Sequence, residues 1–151
     1  MLTFIINFFT FKANPTSVFY HPEPRRLFVG LENGQILEFA VGEDYNKITL
    51  IRKYLAHQAR VTSVYYSLEL DWVLSTSRDK SFAYHSTDIK DNARRIGSYK
   101  VNSFANCLTF DTASRHCFFG DNDGSITLLN LTDSCCEFKK TLKGHVCKYH
   151  L

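Results

Sequence analysis

Proline and glycine are scarce in this 151-residue chain, at three and seven residues, which excludes a disordered or collagen-like polymer. No CxxC pair occurs. The five cysteines are odd in number and include the adjacent Cys135 and Cys136, so neither a zinc knuckle nor a disulfide framework is supported. Such reduced thiols point to the cytosol. Cys107 and Cys117 fall in strand-like stretches and read as buried small hydrophobes, and His145, Cys147 and His150 are not read as metal ligands. No Gly-x-Ser-x-Gly elbow and no Gly-Lys-Ser/Thr phosphate loop is present, which removes the hydrolase and nucleotide-binding signatures. No basic stripe exists either. The net charge is +3, and the doublets Arg25-Arg26, Arg94-Arg95 and Lys139-Lys140 are scattered near turns, so nucleic acid is not an expected partner.

Aromatic residues are abundant: thirteen Phe and eight Tyr, with many Val, Ile and Thr, favour strands over helices. A repeat orders them. Val18-Phe19-Tyr20, Val64-Tyr65-Tyr66 and Leu108-Thr109-Phe110 are offset by 46 and then 44 positions. Each leads to an apolar run (27–30, 72–75, 117–120), then a turn at Asn33-Gly34, Asp79-Lys80 or Asp123-Gly124, then an alternating strand. A period of 40–45 residues with tight turns between short strands marks the four-stranded propeller blade.

Three blades are expected at 16–56, 57–99 and 101–143, inside a region spanning 15–145. The strands fall at 17–20, 26–30, 35–41, 48–54; 61–66, 72–76, 81–85, 95–99; and 105–110, 116–120, 125–130, 136–142. Alternation assigns Ile36, Phe82 and Ile126 to one matched packing position, and Val18, Val64 and Leu108 to another. The segment 1–14 diverges from this pattern, and residues 146–151 form a short tail outside it. The apolar stretch 2–11 is too short to span a bilayer and lacks a basic start and a cleavage pattern. It reads as an outer strand left from a preceding blade or as a stretch foreign to the rest. Asp121-Asn122-Asp123-Gly124 lacks the spaced ligands of a calcium loop and reads as a hairpin turn.

His57 and Gly144-His145 stand 88 positions apart, each just before a new repeat. With Asn33, Asp79 and Asp123 at the turns, this resembles the WD-repeat propeller, in which Gly-His opens the repeat and Trp-Asp closes it. No Trp-Asp dipeptide occurs; Phe39-Ala40, His85-Ser86 and Leu129-Asn130 stand in its place. The resemblance implies a structural hydrogen-bond network of His57, Asp79 and Ser75 or Ser77 in the second blade, with His145 and Asp123 at the corresponding places. It assigns His85 beside Asp79 to that network rather than to acid–base chemistry. The strings 25–27, 43–47, 56–62, 68–76 and 118–121 look like the WD-repeat and FYVE-domain-containing family.

Family membership implies a non-enzymatic scaffold or adaptor of endosomal trafficking or signalling, cytoplasmic with early-endosome association, and with kinases or receptors as protein partners. Family members reach phosphatidylinositol 3-phosphate membranes through a zinc-binding FYVE module, whose paired cysteines and basic motif are absent from this sequence. Membrane contact is therefore expected only indirectly. No cofactor is expected. Three blades do not close a ring, so open blade edges invite self-association. The candidate interaction residues are Tyr45 and Arg60, with Glu43 and Asp44, because Tyr and Arg in loops dominate contact energy. Two alternatives stand beside this reading. One is a truncated product of a longer WD-repeat/FYVE protein without function of its own. The other is a phosphoinositide-binding propeller, which wants a basic pocket between blades; the scattered basic doublets and acidic long loops supply none.

Overall fold

The computed structural model describes residues 9–144. They form β1 (Pro15–His21), β2 (Arg26–Leu31), β3 (Gln35–Val41), β4 (Ile48–Leu55), β5 (Val61–Ser67), β6 (Trp72–Ser77), β7 (Ser81–Ser86), β8 (Arg95–Lys100), β9 (Ala105–Asp111), β10 (His116–Asp121), β11 (Ser125–Leu131) and β12 (Cys136–Lys143), with a single 3-10 turn at Ile89–Asp91. Each strand lies within two residues of the stretch that alternation marks. Consecutive strands pair antiparallel into three four-stranded meanders, β1–β4, β5–β8 and β9–β12. The sheets meet through their inner strands, β1 against β5 and β5 against β9, and they do not close into a ring.

The repeat is also structural. A β-bulge between the third and fourth strands falls at Glu38/Phe39, Tyr84/His85 and Leu128/Leu129, which are again 46 and 44 positions apart. The first hairpin of each sheet turns through a left-handed residue, Arg25, Asp71 and Arg115. The second does so through Gly34, Lys80 and Gly124. A matched side-chain bond recurs at both blade boundaries: Thr16 Oγ1 donates to the Val61 carbonyl and Thr62 Oγ1 to the Ala105 carbonyl, both at 2.6 Å.

The core lies between blades. Phe28, Ile36 and Tyr54 of the first sheet pack on Val61, Val64, Tyr66 and Val73 of the second. The opposite face of the second sheet presents Trp72, Leu74, Phe82 and Tyr84 to Phe110, Cys117, Phe119, Leu129 and Leu131 of the third. Each such side chain stabilises the fold by about 1.5–3 kcal/mol when fully buried.

Two outer faces depart from the sequence expectation. Val18 is 66% exposed although its counterpart Val64 is 8% exposed, and Ile126 is 39% exposed although Ile36 and Phe82 are fully buried. Both stand on the outermost sheet faces, where no blade among the described residues covers them. Cys107 is exposed for the same reason: it pairs with Gly120 on the uncovered face of the third sheet, while Cys117 is buried on the inner one. The outer face of the first sheet is partly covered by its own chain. Phe9 and Phe11 set their rings edge-on to Phe39, at 5.0 and 6.0 Å between centroids. Residues 9–14 form no strand, so the described part of the N-terminal segment is a side-chain cap rather than a leftover outer strand. Residues 1–8 and 145–151 lie outside the description.

Candidate functional site

The second blade begins with a buried relay. His57, whose side chain is fully buried, contacts Ser81 Oγ at 2.8 Å and Asp79 Oδ2 at 3.3 Å through Nδ1, and Ser75 Oγ at 2.8 Å through Nε2. Ser81 Oγ already donates its proton to Asp79 Oδ1. Nδ1 must therefore carry the imidazole proton and donate it to Ser81, which leaves Nε2 to accept from Ser75. Burial pushes the His57 pKa below its ordinary value against the pull of Asp79, in keeping with this neutral tautomer. Burial pushes Asp79 up, but hydrogen bonds from Ser81 and the Gln58 amide and the nearby His57 outweigh it, so its pKa lies below the usual carboxylate value. A chain of donors thus runs from Ser75 through His57 and Ser81 to a carboxylate, and it fixes the turn at the start of β7 against the strand entering β5.

Of the network residues named from sequence, His57, Asp79 and Ser75 meet in this relay. Ser77 stands beside it: its Oγ accepts from the Asp79 amide at 3.1 Å and donates to the Ala59 carbonyl at 3.0 Å. Asp123 does not join a corresponding network. Its amide donates to Asp121 Oδ1 at 2.9 Å, as does that of Ser125 at 3.0 Å, so Asp121 holds that turn and Asp123 faces solvent. His145 lies outside the described residues. Ser81 was missed, and the signal for it was the Asp-x-Ser spacing, by which an Asp accepts from the amide two residues on. His85 forms no bond with Asp79. It is buried among aromatics, 5.8 Å from the Tyr54 ring, at the position that Phe39 and Leu129 hold in the other blades.

The interaction residues named from sequence fall at opposite ends of the strands. Glu43, Asp44 and Tyr45 sit in the β3–β4 loop. Asp44 accepts from the Asn46 amide at 3.1 Å, which holds its carboxyl below the ordinary value, and Tyr45 adopts φ 61°. That turn lifts the Tyr45 ring to 63% exposure, with the Arg25 guanidinium 5.8 Å from its centroid. Tyr20, Leu27, Val41, Tyr45 and Ile48 line a shallow apolar notch of about 200 Å³ there. Arg60 lies at the other end of the strands, near the β2–β3 turn, where its Nη1 stands 3.6 Å from Glu32 Oε2.

One grouping escaped the sequence reading. Basic doublets scattered along the chain suggested no pocket, yet β4 and β8 bring Lys53 and Arg95 to one cleft of about 390 Å³, together with Leu55, His85, Asn92 and Ala93. Linear spacing cannot show this, because the two cations come from the outer strands of different blades. Among the described residues no group of three His, Cys, Asp or Glu is placed to hold a metal, and no helix is long and apolar enough to cross a membrane.

Sheet order, blade spacing and the His–Ser–Asp relay define a WD-repeat propeller segment. The crystal structure of RRP9 WD40 repeats superposes with a TM-score of 0.76 at 14% identity over 91% of this chain and 41% of its own. The structure of U3-55K gives 0.74 at 13% identity, with the same shares covered. Sequence relationship is narrower. WD repeat and FYVE domain-containing protein 2 of Homo sapiens is 46% identical over 126 residues, 83% of this chain and 31% of its own length. Protein 1 of Mus musculus is 42% identical over 134 residues, and protein 2 of Caenorhabditis elegans 32% over 131. The chain is thus a homologue of the WD repeat and FYVE domain-containing proteins, and it spans about a third of the length of these curated relatives. No protein-family profile matches it.

Proposed function

We propose that this chain is a non-enzymatic scaffold module that binds a protein partner at the β3–β4 end of its first blade. The single observation that carries this reading is Tyr45, an amphipathic ring held out by a left-handed turn over an apolar notch. Glu43 and Asp44 on one side and Arg25 on the other give that notch a charged rim of both signs, the usual anatomy of a contact patch. Arg60, at the far end of the strands, belongs to a separate surface and serves as an internal control.

The relatives' names join WD repeats to a FYVE domain, and in line with that resemblance we read the partner as a kinase or receptor handled at early endosomes. The given residues carry no FYVE pattern, and we read membrane contact of this module as indirect. The uncovered third sheet adds a route to self-association. The test is quantitative recovery of proteins on immobilised chain, with Tyr45→Ala and Arg60→Ala in parallel. Tyr45→Ala should reduce recovery of the main partner by about tenfold, as expected for loss of about 1.4 kcal/mol at an aromatic anchor. Unchanged recovery with Tyr45→Ala discards the notch as the contact site.

A further inference from the structure

We propose that the cleft between β4 of the first blade and the β7–β8 hairpin of the second binds a phosphate monoester group through Lys53 and Arg95, with His85 in its wall. Two cations, one amide side chain and one imidazole line it, and no acidic residue does. Lys53 has no carboxylate partner among the described residues. Arg95 is fixed in place across the blade boundary, its Nη2 donating to the Ala56 carbonyl at 2.9 Å and the Leu55 carbonyl at 3.4 Å. Both carbonyls are on one nitrogen, and the rest of the planar guanidinium fork, which suits phosphate oxygens, has no other bond among the described residues.

His85 supplies the second, independent observation. It is only 2% exposed, and its Nδ1, itself shielded from solvent, has no hydrogen-bond partner among the described residues. A buried polar atom without a partner is costly and rare in native proteins. The matched positions in the first and third blades carry Phe39 and Leu129, so packing alone does not call for an imidazole here. Burial, then Arg95 and His57, hold the His85 pKa down to about 3, so the ring is neutral at physiological pH. A neutral ring in the wall leaves the charge of the cleft to Lys53 and Arg95.

The backbone is strained at the same place. Asn92 and Ala93, which line the cleft, are consecutive left-handed residues at φ 49° and 58°. An L-residue with a Cβ pays for that conformation, and such strain concentrates where a ligand is held. Cations drawn from two blades and a strained rim therefore converge on one cleft that no acidic residue lines. Two cations with a polar third point match a dianion with three terminal oxygens better than a single carboxylate.

The intact chain, titrated calorimetrically with inorganic phosphate and with glycerol 3-phosphate, should bind the monoester saturably. Flotation with phosphatidylcholine vesicles, with and without phosphatidic acid, separates the sources. Binding of the vesicles together with the soluble monoester assigns a lipid-borne phosphate, and binding of the monoester alone assigns a soluble one. Vesicle binding without monoester binding reflects surface charge and overturns the site. Lys53→Glu, at an exposed position, should weaken monoester binding by about tenfold, the loss of one charge-assisted contact. Lys140→Glu on β12 makes the same charge change elsewhere and should leave affinity within about twofold; equal losses from the two overturn the proposal.

Discussion

Among the described residues the second blade is packed on both faces and the third on one, although the two are built from the same pattern. Phe82 is fully buried and stacks on Phe119 of the third blade at 5.4 Å between ring centroids. Ile126, its counterpart 44 positions later, has only its own sheet beneath it. A propeller residue is therefore worth what its neighbouring blade makes of it, and the sequence position alone does not set its energy. The largest predicted effect follows directly. Phe82→Ala should cost about 3–5 kcal/mol, the usual range for a large aromatic removed from a packed core. Ile126→Ala should cost less than about 1 kcal/mol, since much of its surface is already wet. Urea denaturation of the two variants measures the difference. Equal losses would mean that the third sheet's outer face is covered in solution, by a second copy or by the chain itself.

Acid should separate the same two blades. The second blade carries two neutral buried histidines, His57 and His85, whose folded pKa values lie below the ordinary one, at about 3 for His85. The unfolded chain takes up protons at these residues near pH 6.5, whereas the folded chain refuses them until the lower values are reached. Stability then rises with pH across that window and falls on acidification below about 6.5, with a slope of at most about 1.4 kcal/mol per pH unit for each histidine. Asp79 adds a loss only at lower pH, as the solution falls from the unfolded carboxylate value of about 3.9 through its depressed folded one. Urea midpoints at pH 7 and pH 5 should therefore draw apart in the wild-type chain and less so in His85→Phe. Parallel behaviour of the two proteins would remove His85 from this account.

The fold was legible in the sequence because a strand needs only local alternation and a turn, and both recur here at a fixed period. The relay was partly legible: His57, Ser75 and Asp79 sit at recognisable places relative to the turn, while Ser81 needed the Asx geometry of that turn to be noticed. What stayed hidden was anything formed across a blade boundary. Lys53 and Arg95 line one cleft although they stand on the outer strands of different blades, which no window along the chain can display. Glu38 escaped in a similar way. Alternation reads it as a strand residue, yet it is buried and satisfied by Tyr54 Oη at 2.7 Å and Arg52 Nε at 2.9 Å, both from the next strand. Val18 and Ile126 failed in the opposite direction, since the pattern marks them for neighbours that the described sheets do not provide.

The smallest predicted effect tests how closely the blades repeat one another. The β2–β3 and β10–β11 turns place glycine at their left-handed position, Gly34 at φ 90° and Gly124 at φ 83°. The β6–β7 turn places Lys80 there at φ 66°. At Gly34 a Cβ would stand 2.2 Å from the His57 carbonyl oxygen, so glycine is required by close approach as well as by φ. Lys80 bears its Cβ in the same conformation, at a cost of about 1–2 kcal/mol. Replacing it by glycine removes that cost but gives the unfolded chain more freedom, by about 0.5–1 kcal/mol. The net expectation for Lys80→Gly is a gain of about 0.5–1 kcal/mol, read as a rise in the urea midpoint with an unchanged slope. A loss instead of a gain would show that the lysine side chain holds the second blade's turn through contacts that the other two turns do without.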